Sequence, residues 1–242
     1  GMLGGAVARL LADQGHQVRT FQRRPAAGGP GLEPFSGSVT DPAALARAVD
    51  GMDAVIHLAA KVSFTGHWDE FVVTNIDGTA NLLAAARAVG VRDFVFVSSP
   101  SVAHFGHALA GEGAGPADPE RARGNYARSK AAAELLALAA DSPSFRVAAI
   151  RPHVVWGPGD TQLVERVVQR AAAGRLPLLD RGAALIDTTY IDNAAAAIVR
   201  ALERMEHAHG QALVVTNGQP RPVGELLAGI CAAAGVRPPA WR

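Results

Sequence analysis

Little in this sequence can cross-link the fold, and little charge of one sign accumulates. A single cysteine, Cys231, excludes an internal disulfide. Its apolar, helical surroundings predict a buried thiol rather than a nucleophile. Aromatic residues make up 5% of the chain and the formal net charge is +1. A base-stacking surface and a basic face for a nucleic-acid backbone are therefore not expected. No apolar run reaches the ~18 residues of a membrane span, and no signal peptide is visible. Cytoplasmic residence is the expectation. Lysine is nearly absent, with only Lys61 and Lys130, and there are two tyrosines, Tyr126 and Tyr190.

What is abundant is apolar bulk: 49% of 242 residues are hydrophobic, enough for one large core. Nearly continuous apolar runs at Val18–Gln22, Ala54–Leu58, Phe94–Ser98, Val147–Ile150 and Leu213–Thr216 read as strands covered on both faces. Between them lie helical patterns at Gly5–Asp13, Pro42–Val49, Asn75–Val89, Tyr126–Ala140, Gln162–Ala173, Asn193–Arg204 and Val223–Ala234. Asp41 and Pro42 form an N-cap and first-turn signal. Gly15, Gly51, Gly90 and Gly174 each follow a helix, as C-cap glycines do. This alternation predicts an α/β fold with a doubly wound parallel sheet of the Rossmann type. Ala26–Pro34 reads as a Gly/Pro loop. Ala108–Ala122 reads as a longer polar loop, either a substrate flap or plain surface.

The chain opens Gly1-Met2-Leu3-Gly4-Gly5 and runs straight into a helix. Gly1 and Gly4 fit the last two glycines of a dinucleotide phosphate loop, whose helix N-terminus faces a pyrophosphate. The strand that should precede this turn is not in the sequence, so the first strand of the sheet is expected to be missing. After the second strand stand Gln22-Arg23-Arg24. An acidic residue there would hold the ribose hydroxyl of NAD, whereas Arg23 suits the phosphate of NADP, so NADP(H) is favoured over NAD(H).

Tyr126 and Lys130 stand four residues apart, one turn along one helical face. A phenol ionises near ~10 and is a poor proton donor and acceptor at neutral pH unless a cation stabilises the phenolate. A lysine one turn away is expected to supply that field and to reach a nicotinamide ribose. The strand Phe94–Ser98 runs into Ser98-Ser99-Pro100-Ser101, where strand ends face the ligand crevice. Ser99 is the expected partner of the substrate oxygen, with Ser98 and Ser101 beside it.

These residues resemble the extended short-chain dehydrogenases/reductases, in the 3β-hydroxysteroid dehydrogenase-like branch. The resemblance is carried by Gly1 to Gly4, His57-Leu58-Ala59-Ala60, Thr74-Asn75, Ser98-Ser99, Tyr126 with Lys130, and the stretch Arg151 to Asp160. Ser99 to Val102 and that last stretch resemble bacterial reductases of hydrophobic β-keto compounds, such as 2-alkyl-3-oxoalkanoate reductases. The resemblance implies cofactor contacts from Gly1, Met2, Leu3 and Gly4, from Leu58, Ala59 and Ala60 on the adenosine side, and from Val97, Ser98, Pro152 and Val155 near the nicotinamide. Ser38 and Val39 fall where the family places an acidic-apolar pair against adenine; Ser38 replaces the acid. Asn75 would brace the site from behind. His153 would either touch substrate or be fixed by its neighbours.

The resemblance also implies a dinucleotide-binding domain over 1–155 and a substrate lobe starting over 156–189. The chain would return to the first domain over 190–216 and to the lobe over 217–242. Family members run further, so the chain is expected to be short at both ends. The implied activity is an NAD(P)-dependent interconversion of a secondary alcohol and a ketone on a hydrophobic small molecule. No metal is implied. A nucleotide-sugar epimerase or dehydratase is the alternative, with Arg175 and Arg181 as candidate diphosphate ligands. A cofactor-sensing protein without catalysis is the second alternative. A homodimer is expected by analogy alone.

Overall fold

The computed structural model describes residues 1–24, 28–63, 65–106, 109 and 111–239. Helix α1, Met2–Asp13, buries Val7, Ala8 and Leu11 on one stripe, and Gly15 follows it with φ +91. Strand β1, Val18–Gln22, is followed by β2, Leu32–Ser36. The two pair in parallel from Val18 with Leu32 to Gln22 with Ser36. The Gly/Pro loop expected over Ala26–Pro34 is thus corrected: its end is a strand, and 25–27 lie outside the described residues. Pro34 is tolerated because, among the described residues, β2 pairs with β1 alone and can spare an amide on its other edge.

Helix α2, Pro42–Val49, is capped by the Asp41 carboxylate, which accepts from the Ala44 amide at 3.1 Å. Such a cap contributes roughly 1 kcal/mol. Strand β3, Ala54–His57, leads to a helical stretch that the sequence reads as one helix from Asn75. It is three pieces: α3, Trp68–Phe71; a π-helical turn, Val72–Asp77; and α4, Gly78–Ala88. Strand β4, Asp93–Val97, ends in a 3-10 turn, Pro100–Ala103, and α5, Gly124–Ala139, follows the long loop. The remaining elements are β5 (Arg146–Pro152), β6 (Val155–Trp156), α6 (Val164–Ala172), a 3-10 turn (Leu179–Gly182), β7 (Leu185–Ile186), β8 (Thr189–Tyr190), α7 (Ile191–Glu203), α8 (Met205–Ala208), β9 (Ala212–Val215), β10 (Arg221–Pro222) and α9 (Val223–Ala233).

The central sheet runs β3-β4-β5-β9, and every pairing is parallel. Strand β4 explains why its run looked continuous. Phe94 and Phe96 point into a cluster with Leu45, Leu82, Leu83 and Ala133 from α2, α4 and α5. Val95 and Val97 point to the other face, against Val7, Leu11, Ala195 and Ile198 from α1 and α7. With both faces covered, a period of two carries no polar member. Among the described residues β1-β2 and β3-β4-β5-β9 are separate sheets. Helices α6 and α9 pack together, and β7 pairs antiparallel with β10. No described helix is long and apolar enough to cross a membrane.

Candidate active site

The carboxyl ends of parallel strands form the natural crevice of such a sheet, and the predicted residues collect there. β4 ends at Val97, and the Ser98 amide continues the ladder by donating to the Ile150 carbonyl at 2.7 Å. The Ser98 hydroxyl is buried and has no hydrogen-bond partner. Ser99 caps the 3-10 turn: its oxygen accepts from the Ser101 amide at 3.3 Å and lies 2.9 Å from the Ser101 hydroxyl.

Helix α5 brings Tyr126 to this strand end in its first turn and Lys130 one turn later. Lys130 is 3% exposed. Its ammonium donates to the Val97 carbonyl at 2.7 Å and sits 3.9 Å from the centre of the Phe96 ring. Burial lowers its pKa to about 7, with Glu134 opposing the fall. Tyr126 is pushed above the ordinary phenol value by burial, with the Ser99 hydroxyl pulling the other way. The Lys130 ammonium is turned to the Val97 carbonyl, and the influences on the Tyr126 phenol in this geometry are its burial and Ser99.

Asn75, 1% exposed, braces the site from the π-helical turn. Its side-chain oxygen accepts from the Lys61 amide at 2.6 Å. Its nitrogen donates to the Lys61 carbonyl at 3.2 Å and to the Ser129 hydroxyl at 2.9 Å. Ser129 in turn donates to the Tyr126 carbonyl at 2.9 Å. One amide thereby fixes the segment after β3 and the turn that carries Tyr126.

The other expected residues lie on several elements. Gly1 caps α1, and a Cβ on Gly1 or Gly4 would meet no protein atom within 4 Å. Met2 and Leu3 belong to the first turn of α1, and Leu3 and Leu58 pack against the second cluster. Arg23 is exposed just beyond β1. The Ser38 hydroxyl is 2.8 Å from that of Thr40, while Val39 is buried in the core. Ala59 and Ala60 follow β3, Pro152 ends β5, and Val155 pairs with Thr189. His153 is held by its neighbours: Nδ1 meets the Asp187 carbonyl and its amide donates to Val215 at 2.9 Å. Val154 beside it has φ +38, a strained value for a β-branched residue. Arg175 and Arg181 are exposed. Cys231 is fully buried.

Sequence reasoning missed Ser129, Glu134 as a neighbour of Lys130, and any role for Arg151. The available signal was one charge of each sign inside two otherwise apolar runs, the second half of α5 and residues 147–152 of β5.

A doubly wound parallel sheet with a tyrosine and lysine on the helix above its strand ends defines the class of extended short-chain dehydrogenases/reductases. The family model for the NAD dependent epimerase/dehydratase family matches residues 1–216, and the chain belongs to that family. It is 42% identical to a 2-alkyl-3-oxoalkanoate reductase of Stenotrophomonas maltophilia, over 97% of this chain and 73% of that protein. It is 32% identical to a 3 beta-hydroxysteroid dehydrogenase/Delta 5-->4-isomerase of Mycobacterium tuberculosis, over 100% of this chain and 69% of that protein. Among solved structures, a short-chain dehydrogenase/reductase superfamily protein from Agrobacterium tumefaciens with bound NAD superposes with a TM-score of 0.77 at 26% identity, covering 98% of this chain and 81% of that one.

Proposed function

We propose that this chain is an NAD(P)-dependent oxidoreductase that interconverts a secondary alcohol and a ketone on an apolar β-hydroxy or β-keto compound. The carrying observation is the Lys130–Val97 bond, 2.7 Å, which sets the ammonium at the end of β4 beside Ser98 and one turn from Tyr126. The relatives named above supply the substrate class.

The residues present fit a nicotinamide dinucleotide. The orphaned Ser98 hydroxyl and the remaining Lys130 N–H groups are donors in want of acceptors, and the space around Gly1 and Gly4 admits an anion at a helix N-terminus. Gly1 to Gly4 would hold the pyrophosphate. Ser38, Val39, Leu58, Ala59 and Ala60 would border the adenosine. Val97, Ser98, Pro152 and Val155 would border the nicotinamide, and Lys130 would reach its ribose. Arg23, exposed and cationic, is the reason to favour the phosphorylated coenzyme. When bound, the nicotinamide supplies or accepts the hydride. Tyr126 gives a proton to the ketone oxygen in reduction and takes it back in oxidation. Ser99 donates a hydrogen bond to the same oxygen. In the resting geometry burial keeps the phenol protonated, which suits the reductive direction.

The grouping of α6, β7, β10 and α9 supports a substrate lobe drawn from 156–189 and 217–242, with 1–155 and 190–216 as the dinucleotide-binding part. Exposed Leu135 and Leu136 on α5, beside Ile76 and Pro119, support a homodimer. Cytoplasmic operation completes the proposal.

Tyr126→Phe removes only the proton donor. Turnover of a β-keto ester should fall by roughly 10²- to 10⁴-fold, with NADP(H) affinity within a few-fold of the parent. Full turnover in the variant would end the assignment.

A further inference from the structure

Two buried charges behind the Tyr126–Lys130 pair take no part in the chemistry proposed above. Glu134, one turn beyond Lys130 on α5, and Arg151, in β5, are each 1% exposed. Arg151 Nε donates to Glu134 Oε2 at 2.9 Å and Nη2 to Oε1 at 2.5 Å. Its remaining nitrogen, Nη1, donates to the carbonyls of Ala114 and Gly115, the latter at 3.1 Å. A buried ion pair adds little stability over a well-packed apolar pair. The use of this one lies in what it holds.

What it holds is a loop whose two ends both lie at the site. The chain leaves the 3-10 turn that follows Ser98 and Ser99 at His104 and enters α5 two residues before Tyr126; 107, 108 and 110 in between lie outside the described residues. Near those ends the loop is closed on itself: the Asp118 amide donates to Val102 at 3.1 Å, and the Arg121 guanidinium stacks 4.2 Å above Phe105. Ala117 and Ala122 pack with Val102, Ala103, Ala127 and Ala131 against α5. The middle of the loop has a different anchor, the guanidinium of Arg151.

We propose that Glu134 and Arg151 are a positioning pair that clamps loop residues 114–115 onto the helix carrying Tyr126 and Lys130, so that residues 111–117 are a fixed wall of the substrate cleft. The proposal rests on Tyr126 and Lys130 being the working pair. It has an electrostatic side as well. The charged groups around the Lys130 ammonium are Glu134 on its own helix, Arg151 from β5 through Glu134, and His57 from β3, which burial and Lys130 hold neutral. Glu134 is the one anion among them.

Four variants of the full chain, compared with the parent and with Tyr126→Phe, test this on ethyl 2-methyl-3-oxobutanoate. Arg151→Lys keeps the charge but loses the planar fork. It should raise KM about tenfold, leave the NADP(H) dissociation constant within about twofold, and speed proteolytic cleavage within 111–117. Gly115→Ala keeps the ion pair and perturbs the loop at φ +60. It should reproduce the KM and proteolysis changes without moving the pH profile. Glu134→Gln should shift the basic limb of the kcat/KM profile to lower pH, and Glu134→Asp should restore part of the shift. Unchanged KM and unchanged cleavage in Arg151→Lys overturn the proposal, as does lost thermal stability with KM and pH profile unmoved. If Arg151→Lys does not fold, Gly115→Ala decides alone, by KM and cleavage. Should Tyr126→Phe be fully active, the catalytic reading fails, while cleavage within 111–117 still reads the clamp.

Discussion

At the scale of single residues, His57 shows how packing decides a protonation state. Thr79 donates its hydroxyl proton to the Asn75 carbonyl at 2.6 Å, so its oxygen accepts from His57 Nε2 at 3.0 Å. That fixes the neutral ring with its proton on Nε2. Phe94 and Phe96 flank the ring at 6.2 and 5.7 Å, and burial first, then Lys130, lower its pKa to about 3. The folded chain therefore refuses a proton that the unfolded chain binds below about 6.5. Stability should fall as pH drops from 6.5 toward 3, by up to ~1.4 kcal/mol per pH unit. Lys130 acts in a different window: folded near 7 and unfolded near 10.5, it makes stability rise with pH between those values. Urea midpoints for the parent, His57→Gln and Lys130→Met across pH 4 to 10 check both. Each variant should flatten its own window, and a parent-like slope in either variant rejects that residue's part.

Tyr126 and Lys130 were legible in the sequence because helical spacing alone puts them on one face. Glu134 shares that face and was passed over. Its meaning depends on Arg151 in a different strand, and one sequence does not reveal which strand passes behind which helix.

At the scale of elements, the segment from Trp68 to Ala88 departs most from its sequence pattern. The extra residue of a π-helical turn turns Asn75 inward, and an apolar period of 3.6 does not reveal such a turn. β2 was hidden by Pro34, which only an edge strand accepts. The chain just beyond β2 meets this segment at Gly78, the first residue of α4. A Cβ there would stand 2.6 Å from Val39 Cγ2 and 3.1 Å from Val39 Cβ. Helix propensity favours alanine by roughly 1 kcal/mol, whereas overpacking a buried contact costs typically 1–3 kcal/mol. The clash should win because Val39 is itself locked among Leu45 and Leu82. Gly78→Ala is expected to lower the urea midpoint, and Gly78→Ala with Val39→Ala to recover most of the loss. A stabilised single variant would show that the helix can move aside.

At the scale of the whole molecule, one surface is left unexplained by the chain's own packing. Helix α5 buries Ala127, Ala131, Ala133 and Ala137 inward, yet turns Leu135 and Leu136 outward at 44% and 41% exposure. The outward residues adjoin Ile76, Pro119, Ala132 and Ala139 in a shallow, largely apolar depression. Scattered exposed leucines need no explanation, but neighbouring ones on the helix that carries Tyr126 and Lys130 do. A second copy is the occupant we infer, because an isologous contact lets one apolar face cover itself. Leu135→Glu with Leu136→Lys would place unpaired charges in that contact, at positions that bury little in the single chain. Sedimentation should show the parent at twice the mass of the double variant, with the unfolding midpoint of the monomer little altered at low concentration. A parent that sediments as a monomer at tens of micromolar would remove the dimer. Loss of activity on dissociation would tie α5's outer face to the Tyr126 and Lys130 it carries on the inner one.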